Sequence, residues 1–442
     1  MSRFEMSSAD SRRQDGFTLI ELIIALAVTV IVMIGILFLF DINNKLARAQ
    51  TNIADMQQSL RVAQYDMVRM LRMAGRGGLP PVQAGLALPT GAALSLVPNV
   101  PDDTHIVPGD TDTPKILEGT DVLVVRGVFS MPVYQIDYVK SGSYRPVDPV
   151  DPSDPLPQRT VGGAIEVCSQ SHTGVNQDLE PLRAVIREAQ TDATKSRNEA
   201  LILVSPLDDS VYGVVQLDPG TSSETAVGCV SGSGVTLVFK SDPGADLRTN
   251  KYRALSSAGA GENLPSGLTK VAFVGILEEY RFYAREEWAT GTENADRGGT
   301  PTNELLPTLA RARFYPGTQE AYGGDEDNLR VDIADGILDL QVALGIDANS
   351  DGRIQENPVA PNADEWMGND PDDAVLAGRL AYARLSTVAR TNRRDKDYRA
   401  PDLPLVEDHE YDIADPMDRA NGDAARLFRR RILQTVVDLR NL

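Results

Sequence analysis

Apolar positions along the chain follow three patterns in turn. From Phe17 to Phe40 nearly every residue is apolar, FTLIELIIALAVTVIVMIGILFLF, with one carboxylate, Glu21, at the fifth place. A hydrocarbon core about 30 Å thick calls for roughly 20 apolar residues in a helix, so the run is long enough to span a bilayer. An ionisable group inside such a run is costly and is read as functional. Beyond Phe40 the apolar positions thin to a stripe: Ile42, Leu46, Ala49, Ile53, Met56, Leu60, Ala63, Met67, Met70 and Ala74, at alternating steps of four and three. That spacing predicts one continuous helix over 17–78, apolar all round at first and amphipathic afterwards. Gly75 to Pro80 should end it. At about 1.5 Å per residue a helix of roughly 60 residues is about 90 Å long. The stripe suits packing on a globular domain or, as the alternative, a coiled-coil dimer.

The third pattern begins after Pro81, where short β-rich runs alternate with turn chemistry. Predicted strands are 121–128, 132–140, 164–168, 200–205, 211–217, 234–240, 271–284, 309–315 and 336–346. The stretch 376–390 suits a strand or a helix, and 424–440 starts basic and ends β-branched. No helical pattern of 10–15 residues alternates with these runs, so a parallel sheet built from strand–helix–strand units is not expected. Segments 89–115, 141–160, 290–302 and 357–373, rich in proline, glycine and aspartate, read as surface loops. The predicted fold class is α+β: a long N-terminal helix, 17–40 of it transmembrane, packed on a large, mostly antiparallel β head over 79–442, of one lobe or two.

Ahead of the apolar run stands a polar leader, 1–16, with Arg3, Arg12 and Arg13. A secretory signal would place a small-residue cleavage site after its apolar core, whereas the small residue here, Gly16, precedes it. Gly16-Phe17-Thr18-Leu19-Ile20-Glu21 resembles the type IV prepilin signal. The resemblance implies cleavage after Gly16 by a prepilin peptidase and N-methylation of Phe17. It also implies an assembly role for Glu21, whose carboxylate pairs with the amino terminus of a neighbouring subunit. Each charge then relieves the other's burial; the plain alternative is a Glu21 that merely snorkels to the headgroups.

Further resemblance, to the PilW group of minor pilins, rests on 57–75 (QQSLRVAQYDMVRMLRMAG), 121–126, GILDLQVALGID at 336–347 and RRRILQTVVDLRNL at 429–442. It implies a subunit that joins or primes a type IV pilus, with the head periplasmic before assembly and on the cell surface afterwards. Implied partners are other minor and major pilins, the inner-membrane assembly machinery and the prepilin peptidase, with twitching motility and cell adhesion as the associated activities. A pseudopilin of a type II secretion system carries the same signal, and a tip adhesin or calcium-regulated binding module is a third reading.

Composition changes the picture in two places. With 63 acidic against 43 basic residues, the chain's net charge of −20 argues against nucleic acid as a partner. Cys168 and Cys229, the two cysteines, lack a zinc or redox spacing. In an oxidising compartment they can pair, closing a loop at a gain of about 4 kcal/mol on the chain-entropy account; the alternative is two buried thiols.

Candidate chemistry is sparse. Asp347, Asn349 and Asp351 occupy the first, third and fifth places of a DxNxDG calcium loop, with Arg353 supplying a backbone carbonyl. Pro358 stands at the twelfth place, so Glu356, Asp364 or Glu365 would have to substitute for the usual bidentate carboxylate, or the site would be weak. The plain alternative is an Asx-rich turn, which needs the same residues. No cofactor is required, and no nucleophile-elbow or phosphate-loop motif points to an enzyme.

Overall fold

A 55-residue helix, α1 (Leu19–Met73), opens the chain. The computed structural model describes residues 18–79, 93–136, 144–146, 163–171, 173–191, 199–204, 212–218, 220–226, 228–229, 233–238, 271–286, 306–324, 326–347, 349, 351–355, 365–367, 379–403, 405–407, 409–412, 422–423 and 425–439. Two compact units divide at Ala54, within α1. In the first, the helix exposes its apolar residues from Leu19 to Leu46, with Ala49 and Ile53 half-buried. In the second, the stripe is covered: Met56, Leu60, Ala63, Met67, Met70 and Ala74 are buried.

Polar groups fix this half of the helix on the head. Gln64, also buried, donates from Nε2 to the Leu433 carbonyl at 2.8 Å, and its Oε1 accepts from the Thr435 hydroxyl at 2.6 Å. Arg311 meets Asp66 at 2.9 Å. The helix ends in a glycine turn, with Gly75 at φ 72° and its N–H on the Arg126 carbonyl at 3.0 Å. A Cβ on Gly78, at φ 96°, would meet Val204 at 2.8 Å, so the chain passes there only as glycine.

The head is built of antiparallel pairs. Its strands are β1 (Leu94–Val97), β2 (Val122–Gly127), β3 (Tyr134–Gln135), β4 (Tyr144–Pro146), β5 (Gly163–Cys168), β6 (Ala200–Val204), β7 (Tyr212–Gln216), β8 (Gly234–Val238) and β9 (Phe273–Arg285). There follow β10 (Thr308–Phe314), β11 (Val331–Asp335), β12 (Ile337–Asp347), β13 (Trp366–Met367), β14 (Arg379–Arg390), β15 (Leu405–Val406), β16 (His409–Glu410) and β17 (Arg430–Asp438). The largest sheet has β9 as its spine. Its first residues pair with β3 and β6 and its later ones with β2 and β10, while β1, β7 and β11 complete the edges. A second sheet runs β13-β12-β14-β17, a third β4-β5-β8, and β15-β16 is a short hairpin.

Asp121, fully buried ahead of β2, ties the first two sheets. Its N–H donates to the Leu340 carbonyl at 2.9 Å, and its carboxylate accepts from Val342 N at 2.7 Å and Asn99 N at 3.1 Å. One apolar cluster joins the third sheet to β6 and β9 through Ile165, Val235, Leu201 and Ile276.

Two expectations are corrected. A helix, α2 (Glu180–Thr191), does stand between β5 and β6, with Leu182 and Ile186 buried in that cluster and Asp178 accepting from Glu180 N at its start. These two buried side chains, one turn apart, seat it, so its remaining polar residues hide it. The polar segment 89–115 contains β1, whose Leu94 packs inward. Of the undecided stretch 376–390, the described part, Arg379–Arg390, is strand β14, buried through most of its length. Positions 137–140, 141–143, 147–160, 290–302 and 357–364 lie outside the described residues.

Candidate functional site

The start of α1 is a capping box. Thr18 precedes the first helical residue, and its N–H and its hydroxyl both donate to Glu21 Oε2 at 3.0 Å. Glu21 N lies 3.4 Å from the Thr18 hydroxyl, completing the reciprocal pair. Threonine at the cap and glutamate three residues on satisfy helix-start donors that nothing else in an apolar run can reach. Glu21 also places negative charge at the positive end of the helix dipole. The T-x-x-E spacing is present in the sequence, where Glu21 reads as a charge for pairing between subunits and not as part of a cap.

Around it the surface is apolar. Leu19, Ile20, Leu22 and Ile23 are each more than half exposed, and the helix is long and apolar enough to cross a membrane. Oε2 is held by Thr18, while a carboxylate has lone pairs for further donors on its other oxygen. The site thus presents an oriented carboxylate on an apolar rod, an arrangement that can receive a cation from another chain. Gly16 and Phe17 lie outside the described residues.

The other singled-out residues fall elsewhere. Cys168 and Cys229 are joined, with Cα atoms 5.4 Å apart, linking the end of β5 to the loop before β8. At 347–355 the acidic side chains close local turns. Asp347 accepts from Asp351 N at 3.1 Å and Gly352 N at 2.9 Å, Asn349 from Asp351 N at 2.8 Å, and Asp351 from Arg353 N at 2.8 Å. Gly352, at φ 77°, makes the bend. These bonds are what an Asx turn requires. Glu356 lies outside the described residues, and among those described no group of three or more His, Cys, Asp or Glu side chains stands ready to hold a metal ion.

Sequence reasoning missed the head's buried ion cluster. Glu279, fully buried in β9, accepts from Arg126 Nε at 2.7 Å, Arg281 Nε at 2.8 Å and Gly317 N at 2.7 Å. Burial alone would raise its pKa, but the two guanidinium charges and the Gly317 N–H outweigh it and hold the carboxyl below the usual range. Beside it Glu278 accepts from Phe129 N, Ser130 N and, at 2.6 Å, Arg313. The sequence signal was two adjacent glutamates with Arg281 two residues beyond Glu279, on the same face of one strand.

Residues 11–37 match the family model described as the prokaryotic N-terminal methylation motif, so this end of the chain is similar to type IV prepilins. No curated protein and no solved structure matches the chain.

Proposed function

We propose that the protein is a minor pilin of a type IV pilus, a membrane-stored subunit of the PilW kind that joins or primes filament assembly, and that its role is structural rather than catalytic. What carries the reading is the conjunction at the start of α1: a methylation-motif match over 11–37 and, inside it, a carboxylate oriented on an apolar helix. Cleavage after Gly16 would leave an ammonium on Phe17. Neither that ammonium nor Glu21 can be buried alone in an apolar filament core, and pairing between neighbours satisfies both. Because Thr18 already orients Glu21, little side-chain freedom is lost when the pair forms.

The large head supports the minor role, since a repeating lattice would have to accommodate it at every position. Mass spectrometry of the chain from the membrane should find Phe17 as a methylated first residue, and sheared pili should contain the chain far below the principal subunit. An uncut leader would overturn the pilin reading; near-equal amounts would overturn only the minor role. Retrieval with a secretion system's components instead of pilus components would favour the pseudopilin alternative.

A further inference from the structure

We propose that the head carries a cationic face that docks onto an acidic loop of a second copy of this chain. The stretches 390–403 and 425–431 hold nine arginines and lysines against three aspartates, in a chain of net charge −20. Backbone bonds fasten the two stretches into one body: Thr391 N to the Arg429 carbonyl at 2.9 Å, Asp395 N to Leu427 at 2.8 Å and Ala400 N to Arg426 at 2.8 Å. Within it, Asp395 meets Arg429 and Asp402 meets Arg426, each at 2.8 Å, and the Arg390 guanidinium lies 4.0 Å from the centre of the buried Phe428 ring. These contacts make the frame. Arg393, Lys396 and Arg431 are outside it: all three are exposed and have no ion pair among the described residues. On β17, which pairs in its sheet with β14 alone, Ile432 and Val436 are also exposed, 42% and 52%. Along β17 these two alternate with Arg431 and so lie on the opposite face of the strand from it; exposed arginines on a body held by backbone bonds suit a folded protein surface.

The complementary surface is on the same chain. The loop between β1 and β2 exposes Asp103, Asp110, Asp112 and Glu118, and it is held in shape by bonds from Ile106 N to the Pro114 carbonyl at 2.9 Å and Ile116 N to Thr104 at 2.8 Å. An extended polyanion, such as nucleic acid or an anionic bilayer, would cover far more than the cationic face and meet the acidic remainder of the chain. A single loop reaches a far smaller area than either of these. Because the two surfaces differ, the contact is heterologous: each copy keeps one of each surface free, and copies add head to tail. Exposed ion pairs are individually weak and salt-sensitive, so the contact should show at low ionic strength.

The test uses the full chain in detergent micelles, its mass followed by light scattering against concentration at low and high salt. Wild type should assemble at low salt beyond whatever the apolar helix alone supports. Arg393→Glu with Lys396→Glu should remove that excess, as should Asp110→Lys with Asp112→Lys, and mixing the two reversed proteins should restore it. All four positions are exposed, so the fold should survive; if a reversed protein melts early, Arg431→Glu and Glu118→Lys replace the pairs. Salt-independent mass, assembly unchanged by reversal, or failure of the mixture to recover would each overturn the proposal, as would preferential binding of the cationic face to a DNA oligonucleotide or to phosphatidylglycerol vesicles. No step uses leader cleavage or Glu21, so the outcome is independent of the pilin reading.

Discussion

Glu21 does two things that substitution can separate: it completes the capping box with Thr18, and it carries a charge. Glutamine can keep the reciprocal hydrogen bonds but not the charge, whereas alanine removes both. Glu21→Gln and Glu21→Ala should therefore insert in the membrane like wild type, yet both should be lost from sheared filaments. Recovery of Glu21→Gln in filaments at wild-type level would show that capping, not charge pairing, is the function. Glu279 is the counterpart inside the head. Its carboxyl is held low by Arg126 and Arg281, so its contribution to stability is complete above the ordinary carboxylate range of about 4.3 and is lost as pH falls through the depressed native value. Glu279→Gln leaves two buried guanidinium groups without their counter-charge, a cost of about 3–5 kcal/mol. Urea titration at neutral pH should show that loss, and it should shrink as the pH is lowered below about 4, where wild type loses the same charge. That Glu21 mattered was legible because a charge in an apolar run is an anomaly. Glu279 was not, since a carboxylate two residues from Arg281 in a strand reads as an ordinary surface pair until the fold buries both and brings Arg126 of β2 to it.

Among the elements, α1 shows how far periodicity carries. The stripe from Met56 to Ala74 was readable from its steps of three and four, and these residues are the ones the head buries. The same stripe at Ile42 and Leu46 is exposed, because spacing says which face is apolar and not what covers it. Gln64 was missed for the converse reason: polar in sequence, it is buried and bonded to β17, a partner more than 360 residues away. Helix α2 had its start signals, Asp178 and Pro181, but too short an apolar face to outweigh the polar residues between. Two element-scale outcomes follow. Leu60, 1% exposed, sits where α1 meets the head, and Leu60→Ala should cost about 2–5 kcal/mol in denaturant unfolding. Reducing the Cys168–Cys229 bond, which spans 61 positions, should cost about 4 kcal/mol, with the third sheet and α2 becoming protease-sensitive before the β12-β14-β17 sheet does. Cleavage beginning in that second sheet would show that the bond does not act locally.

At the scale of the whole molecule, the compact unit that holds the head begins at Asp55, inside α1, rather than at the end of the helix. The second half of the helix supplies Leu60, Ala63, Met67, Met70 and Leu71 to the core, all less than 5% exposed, while the first half supplies none. The membrane-capable run and the stripe that enters the folded unit are thus two parts of one helix, the first with its apolar side chains open and the second covered by the head. A chain beginning at Asp55 should accordingly be soluble and fold, with the disulfide formed and a cooperative thermal transition. A chain beginning at Leu79 removes every one of those side chains, leaves the apolar surface that they cover open to water, and strips the Leu433 carbonyl and Thr435 hydroxyl of Gln64. It should aggregate or unfold at much lower denaturant. If the shorter chain were as stable as the longer, α1 would be only an appendage to the head, and the buried stripe would have to be assigned to contacts between subunits.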